Sequence, residues 1–172
     1  MKVYIYGADK DNAPAIISLC KDAIQGVGGV EIVSRTCEAD IAVAPLLRRI
    51  LPINEVKTPR LGTMIFHPSL LPRHRGPDAI KWAYRLNEKY TGVTWFLADE
   101  GIDTGPIVAQ EVLAIPEGMK PRVFYGQRVI PSAVRTLERI IHRIIKSGQI
   151  ESFPQREENA TYESAIEKTG SE

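Results

Sequence analysis

Cysteine is scarce in this 172-residue chain. Cys20 and Cys37 are the only two, in no CxxC pair, and the histidines are not paired at metal-ligand spacing. No metal site and no disulfide framework is expected, and both thiols read as reduced. An excess of charge of one sign is also lacking: 22 basic side chains face 21 acidic ones, a net charge of +1. Such a balance provides no broad field to recruit nucleic acid or anionic lipid. There is no long apolar run either. The opening MKVYIYGADKD is a short apolar stretch broken by Asp9, Lys10 and Asp11, without the core of a signal peptide or the length of a membrane span. These absences predict a cytoplasmic protein with no membrane and no nucleic-acid partner. What is present, 44% hydrophobic and 25% charged residues, suits one ordinary domain able to bury roughly 68–70% of its unfolded surface.

The apolar positions follow two periods. Lys2 to Tyr6 is a β-rich run ending at Gly7, and from Asn12 onward Ile16, Ile17, Cys20, Ala23, Ile24 and Val27 recur at helical spacing. Asp11 or Asn12 is placed to cap that helix, Pro14 to sit in its first turn, and Gly26, Gly28 and Gly29 to end it. Val30 to Ser34 and Asp40 to Ala44 read as short strands. After a Leu/Arg segment closed by Pro52, Thr63 to Phe66 is another strand, ending in His67 and Pro68. A helix over about Asp78 to Leu86 follows, then strands Gly92 to Leu97 and Pro106 to Leu113 around the loop ADEGIDTG. From Val129 to Ser147 the apolar steps of three and four predict an amphipathic helix that Pro131 begins or kinks. Trp82 and Trp95 are expected in the core. Strands alternating with helices predict an α/β three-layer sandwich with a mostly parallel, Rossmann-like sheet. The tail, residues 154–172, is polar and expected to pack loosely beside a domain of residues 1–153.

Ligands of open α/β sheets bind outside the carboxyl ends of the strands. His67 closes one strand, and Asp103 lies in the turn after another. If both strands share a sheet, imidazole and carboxylate can meet over the crevice, an arrangement that fixes a tautomer, passes a proton or stabilises an oxyanion. On residues alone, capping or solvation is the favoured explanation of the two, since histidines and aspartates in loops more often do only that.

The run His67-Pro68-Ser69-Leu70-Leu71-Pro72, continued by Arg73-His74-Arg75-Gly76, is more specific. Together with Asp99-Glu100-Gly101-Ile102-Asp103-Thr104-Gly105 at a fitting distance, it resembles the formyltransferase family that uses 10-formyltetrahydrofolate. Further similarity lies in DIAVAPLLRRILP (residues 40–52) and PQREENATYE (residues 154–163), so it covers roughly residues 40–163. The hydrolase domain of 10-formyltetrahydrofolate dehydrogenase is the nearest in motif. The resemblance implies that His67 stabilises the oxyanion of a tetrahedral intermediate and that Asp103 orients His67 and helps carry the proton to the leaving folate nitrogen. It also implies that Arg49, Ile50 and Leu51 hold the pterin ring through their main chain, with Asp99, Glu100, Gly101 and Ile102 as the opposite wall. For Arg73, His74 and Arg75, an anion-binding role and a solvated basic loop stand side by side. Arg48 reads as solvated.

Two departures from the pattern matter. Most transferases of the family carry an asparagine two residues before the histidine, where this chain has Ile65. Losing one oxyanion donor typically costs about 10²–10³ in rate, although the dehydrogenase's hydrolase domain is similar to this chain in having an aliphatic residue there. The chain also has 66 residues before the histidine where relatives have about 100, so about one strand–helix unit is expected to be missing between Ser34 and Asp40. The first turn lacks a glycine-rich phosphate loop, and its acidic residues repel phosphate. A purine-pathway acceptor is not expected, and neither is tRNA. The resemblance implies an enzyme: an N-formyltransferase with 10-formyltetrahydrofolate as donor, no metal, and a small amine as acceptor. A formyltetrahydrofolate hydrolase and a catalytically weak folate-binding or regulatory protein are the alternatives. A shortened sheet exposes an edge or face, so a homodimer is also expected.

Overall fold

The computed structural model describes residues 1–10, 12–47 and 49–166. Asp11, one of the candidate caps, Arg48, and the last six residues of the tail lie outside the described residues. Six strands form one sheet in the order β2-β1-β3-β4-β5-β6. They are β1 (Lys2–Ile5), β2 (Glu31–Val33), β3 (Ile41–Ala44), β4 (Thr63–His67), β5 (Tyr90–Leu97) and β6 (Ile107–Ala114). β1 to β4 are parallel, whereas β5 and β6 run antiparallel to their neighbours. All four residues of β3, Ile-Ala-Val-Ala, are buried, as a central parallel strand covered on both faces requires.

The larger core lies on one face. Val3 and Ile5 of β1, Met64 and Phe66 of β4, and Val93 and Trp95 of β5 meet α1 (Ala15–Gly26) and α5 (Ile130–Ser147) there. α1 contributes Ile16, Ile17, Cys20 and Ile24; α5 contributes a stripe through Ala133, Leu137, Ile140, Ile141 and Ile144. Each fully buried aliphatic side chain in such a stripe contributes roughly 1.5–3 kcal/mol. Burial also pushes the Cys20 thiol up to about 12, so it packs as a small hydrophobe. The other face is covered by a smaller cluster, Tyr6, Ala42, Ala44, Leu51 and Val56, under α2 (Ile53–Val56) and its flanking loops. The result is the expected α/β sandwich. Among the described residues no helix is long and apolar enough to cross a membrane.

Several local expectations are corrected. Helix α1 begins at Ala15, with Pro14 as its cap and no side-chain cap hydrogen bond, because proline's fixed φ suits a helix start. Gly26 is its last residue rather than a residue beyond it. Helical structure around α5 starts earlier than Val129: α4 (Pro121–Phe124) runs through a wider π turn, Tyr125–Val129, into α5. Pro131 lacks the N–H for a regular bond and crowds the carbonyl four residues back, which accounts for the wide turn just before it. Trp95 is fully buried and bonds the Ala133 carbonyl, but Trp82 of α3 (Ala79–Arg85) is half-buried, its Nε1 donating to the Ser164 carbonyl. β2 and β3 are joined only by a short 3₁₀ turn, Thr36–Glu38, where a strand–helix unit was expected to be missing.

The tail departs most from expectation. Residues 153–166 are tied down: Phe153 pairs with Ile107, the Arg75 backbone pairs beside Tyr162, and the Ile166 N–H reaches Asp78. The side chains of Gln155, Glu157, Thr161 and Glu163 find partners on the protein, which composition alone does not reveal.

Candidate active site

His67 is the last residue of β4 and points to the face opposite the large core, because Met64 and Phe66 take that core in the alternating pattern of a strand. It is 6% exposed. Its Nε2 lies 2.6 Å from the His74 carbonyl. A carbonyl only accepts, so Nε2 carries the proton and Nδ1 holds the lone pair. Nδ1 is 3.4 Å from Asp103 Oδ2, too long for a formed hydrogen bond and close enough to share an incoming proton. Burial holds the His67 pKa below its ordinary value, while the Asp103 carboxylate and the bond to the His74 carbonyl oppose that shift.

Asp103 reaches His67 by a route the expected parallel arrangement does not supply. β5 is antiparallel to β4, with Leu97 opposite Met64 and Thr94 opposite His67. The loop after β5 therefore leaves beside the start of β4 and returns across the sheet face to its end. Asp103 sits at φ 55 in the left-handed region, and its Oδ2 accepts the Gly76 N–H at 2.8 Å. Asp99 shapes the loop by accepting the Gly101 N–H and the Thr104 hydroxyl. Gly105 closes it so tightly that a Cβ there would lie 1.7 Å from the Leu97 carbonyl oxygen.

Around this pair opens a cavity of about 810 Å³, a size that suits a cofactor-sized ligand. Each of the ten residues singled out in the sequence lines it: His67 and Asp103, the segment Arg49, Ile50 and Leu51, the floor residue Ile65, and the loop Asp99, Glu100, Gly101 and Ile102. The Arg49 guanidinium is turned to Glu55, with contacts of 2.7 and 3.1 Å. Ile50 is 79% exposed at the rim, and Leu51 anchors the segment in the smaller core. Among the described residues no group of three or more His, Cys, Asp or Glu is arranged to hold a metal ion.

The basic loop is not an open anion site, and of its three basic residues only Arg73 is exposed. Arg73 pairs with Glu88, the His74 ring lies between Glu88 and Glu163, and Arg75 binds Gln155 and Glu157. Two contributors are not apparent from sequence. Gln155 donates to the carbonyls of Asp103 and Gly105, at 2.9 and 2.7 Å, fixing the loop from behind. Gly76, at φ 92, packs where a Cβ would meet the Glu163 carbonyl at 2.7 Å. The only signal for Gln155 was its place in PQREENATYE.

Comparison with known proteins bears on this geometry. A formyl transferase family model matches residues 10–140. The human mitochondrial 10-formyltetrahydrofolate dehydrogenase is 32% identical over 167 residues, 96% of this chain but 18% of that protein. HypX from Aquifex aeolicus, in a crystal structure with tetrahydrofolic acid, superposes over 96% of this chain and 30% of its own, with a TM-score of 0.72 at 23% identity. The formyltransferase PseJ from Anoxybacillus kamchatkensis superposes over 95% of this chain and 86% of its own, with a TM-score of 0.74 at 20% identity. Its structure contains a UDP-formamido sugar and tetrahydrofolate. This chain thus spans less than a fifth of the curated dehydrogenase, and the two solved structures speak to its fold.

Proposed function

The chain belongs to the formyl transferase family, and from that premise we propose that it transfers a formyl group from 10-formyltetrahydrofolate to a small amine. The observation that carries this reading is the pairing of buried His67 with half-buried Asp103, 3.4 Å apart, in a cavity flanked by residues 49–51 and 99–102. In this account the pterin lies between those two segments, held by main-chain groups, which leaves the formyl carbon over the pair. The amine nitrogen attacks that carbon, forming a C–N bond and an oxyanion. Its proton passes to His67 Nδ1, beside Asp103. The resulting imidazolium stabilises the oxyanion and then gives the proton to the folate nitrogen as the old C–N bond breaks. Formamide and tetrahydrofolate leave, with all protons accounted for.

The charges around the cavity support a compact acceptor without phosphate. Asp99, Glu100 and Asp103 line it, Arg49 is engaged by Glu55, and the arginines of the basic loop are engaged by their own carboxylates. An amine arriving as its ammonium ion is drawn to such a mouth and gives up one proton to solvent before it attacks, whereas a phosphate is repelled. Hydrolysis, with water as the acceptor and formate as the product, is a second reading. It is supported by Ile65, which places an aliphatic side chain in the cavity where most transferases of the family have a second donor.

Incubation with 10-formyltetrahydrofolate, with and without a panel of small amines, tests the proposal. Amine-dependent release of tetrahydrofolate with a formylated amine supports transfer; formate as the only product favours hydrolysis. No release under either condition refutes both.

A further inference from the structure

His74 is 2% exposed, yet both its ring nitrogens face carboxylates: Nε2 is 3.0 Å from Glu88 Oε2, and Nδ1 is 3.0 Å from Glu163 Oε1. Nε2 is within hydrogen-bond distance of the Glu88 carboxylate, and Nδ1 faces that of Glu163. The Nδ1 approach is close without hydrogen-bond alignment, and Glu163 Oε2 is buried without a partner. Glu88 follows α3, and Glu163 belongs to the carboxyl-terminal segment, so this one side chain joins two distant parts of the chain to the loop after β4.

The backbone of the same residue touches the catalytic pair. His74 sits at φ 57, a left-handed conformation that is strained for a residue with a Cβ and persists only where its surroundings enforce it. Its N–H donates to Thr161 Oγ1 at 2.8 Å, and its carbonyl accepts the His67 Nε2 proton at 2.6 Å. That last bond determines which nitrogen of His67 is left as the base.

We propose that His74 is a positioning residue for His67. Its ring, clamped between Glu88 and Glu163, holds the left-handed turn that presents the His74 carbonyl to His67 Nε2, and thereby keeps Nδ1 as the proton acceptor beside Asp103. The carboxyl-terminal segment is then part of the catalytic apparatus through Thr161 and Glu163. This role rests on the function proposed above for its kinetic consequence, but the tautomer it imposes is independent of any substrate.

Two variants of the full chain test it. His74→Asn tolerates the left-handed backbone and loses the double clamp; Glu163→Gln keeps the shape and removes one charge. Long-range ¹H–¹⁵N spectra of histidine-labelled protein report the His67 tautomer directly. The wild type is expected to carry its proton on Nε2, and His74→Asn to show a mixed or Nδ1-protonated ring. With it, kcat for tetrahydrofolate release falls about tenfold to a hundredfold while the folate KM stays within about threefold. Glu163→Gln lies between the two. A wild-type His67 spectrum in folded His74→Asn protein overturns the proposal, as does an altered tautomer with unchanged kcat. If His74→Asn does not fold, the tautomer and kcat of Glu163→Gln decide in the same way. A wild type that releases no tetrahydrofolate refutes the proposed function, and the tautomer still decides the role of His74.

Discussion

Replacing Asp103 by Asn keeps the size of the side chain and an acceptor for the Gly76 N–H, and removes only the charge facing His67. In the proposed mechanism His67 becomes an imidazolium when Nδ1 takes the proton from the nucleophile. At the observed 3.4 Å, and with an effective dielectric constant of about 20, a carboxylate stabilises that cation by about 5 kcal/mol. The neutral ground state gains far less, so the loss falls on the transition state, roughly three and a half decades in rate. Single-turnover release of tetrahydrofolate should show this fall in Asp103→Asn, with folate affinity within about threefold of wild type and thermal stability nearly unchanged. The reasoning is refuted by a loss smaller than about tenfold, or by a loss confined to folate binding. The first result means that no charge develops on His67, and the second means that Asp103 holds ligand rather than the proton.

Other predictions address separate parts of the site. Ile65→Asn restores the second oxyanion donor common in the family; if that donor limits transfer, formylation of the amine rises by up to about 10²-fold, and an unchanged or lower rate shows that the pocket compensates by other means. Gln155→Ala removes both bonds that hold the Asp103 loop and should cost about 1–3 kcal/mol of stability and lower kcat more than folate affinity, measured by thermal unfolding and steady-state kinetics. Because burial depresses the His67 pKa, the folded protein binds fewer protons than the unfolded chain just below pH 6.5 or so, and stability falls as the pH drops through that window. His67→Gln should flatten this part of a plot of unfolding temperature against pH, and an unchanged slope contradicts the assignment.

The order of strands and helices was legible in the apolar periodicities, since alternation by two and recurrence by three to four are imposed by the very cores that the folded chain buries. The antiparallel turn of β5 and β6 was not legible, because residues such as Val93 and Trp95 suit a buried strand running in either direction. The cavity-lining residues were found through motif spacing, not through pattern: Asp103 meets His67 only because an antiparallel strand sends its loop back across the sheet. Gln155 was missed, and the partners of His74 were not foreseen, for a shared reason. Both are polar residues in segments whose composition reads as solvated, and their placement depends on partners 80 and 89 positions distant, Arg75 for Gln155 and Glu163 for His74. The basic loop was misjudged in the same way, since its neutralising carboxylates are remote in the chain.

A crystal structure with a 10-formyltetrahydrofolate analogue bound tests the central claim most directly. The account predicts the pterin between residues 49–51 and 99–102, with the carbon that bears the formyl group within about 3.5 Å of His67 and His67 still bonded to the His74 carbonyl. An analogue bound elsewhere, or bound with its formyl group directed away from His67 and Asp103, contradicts it.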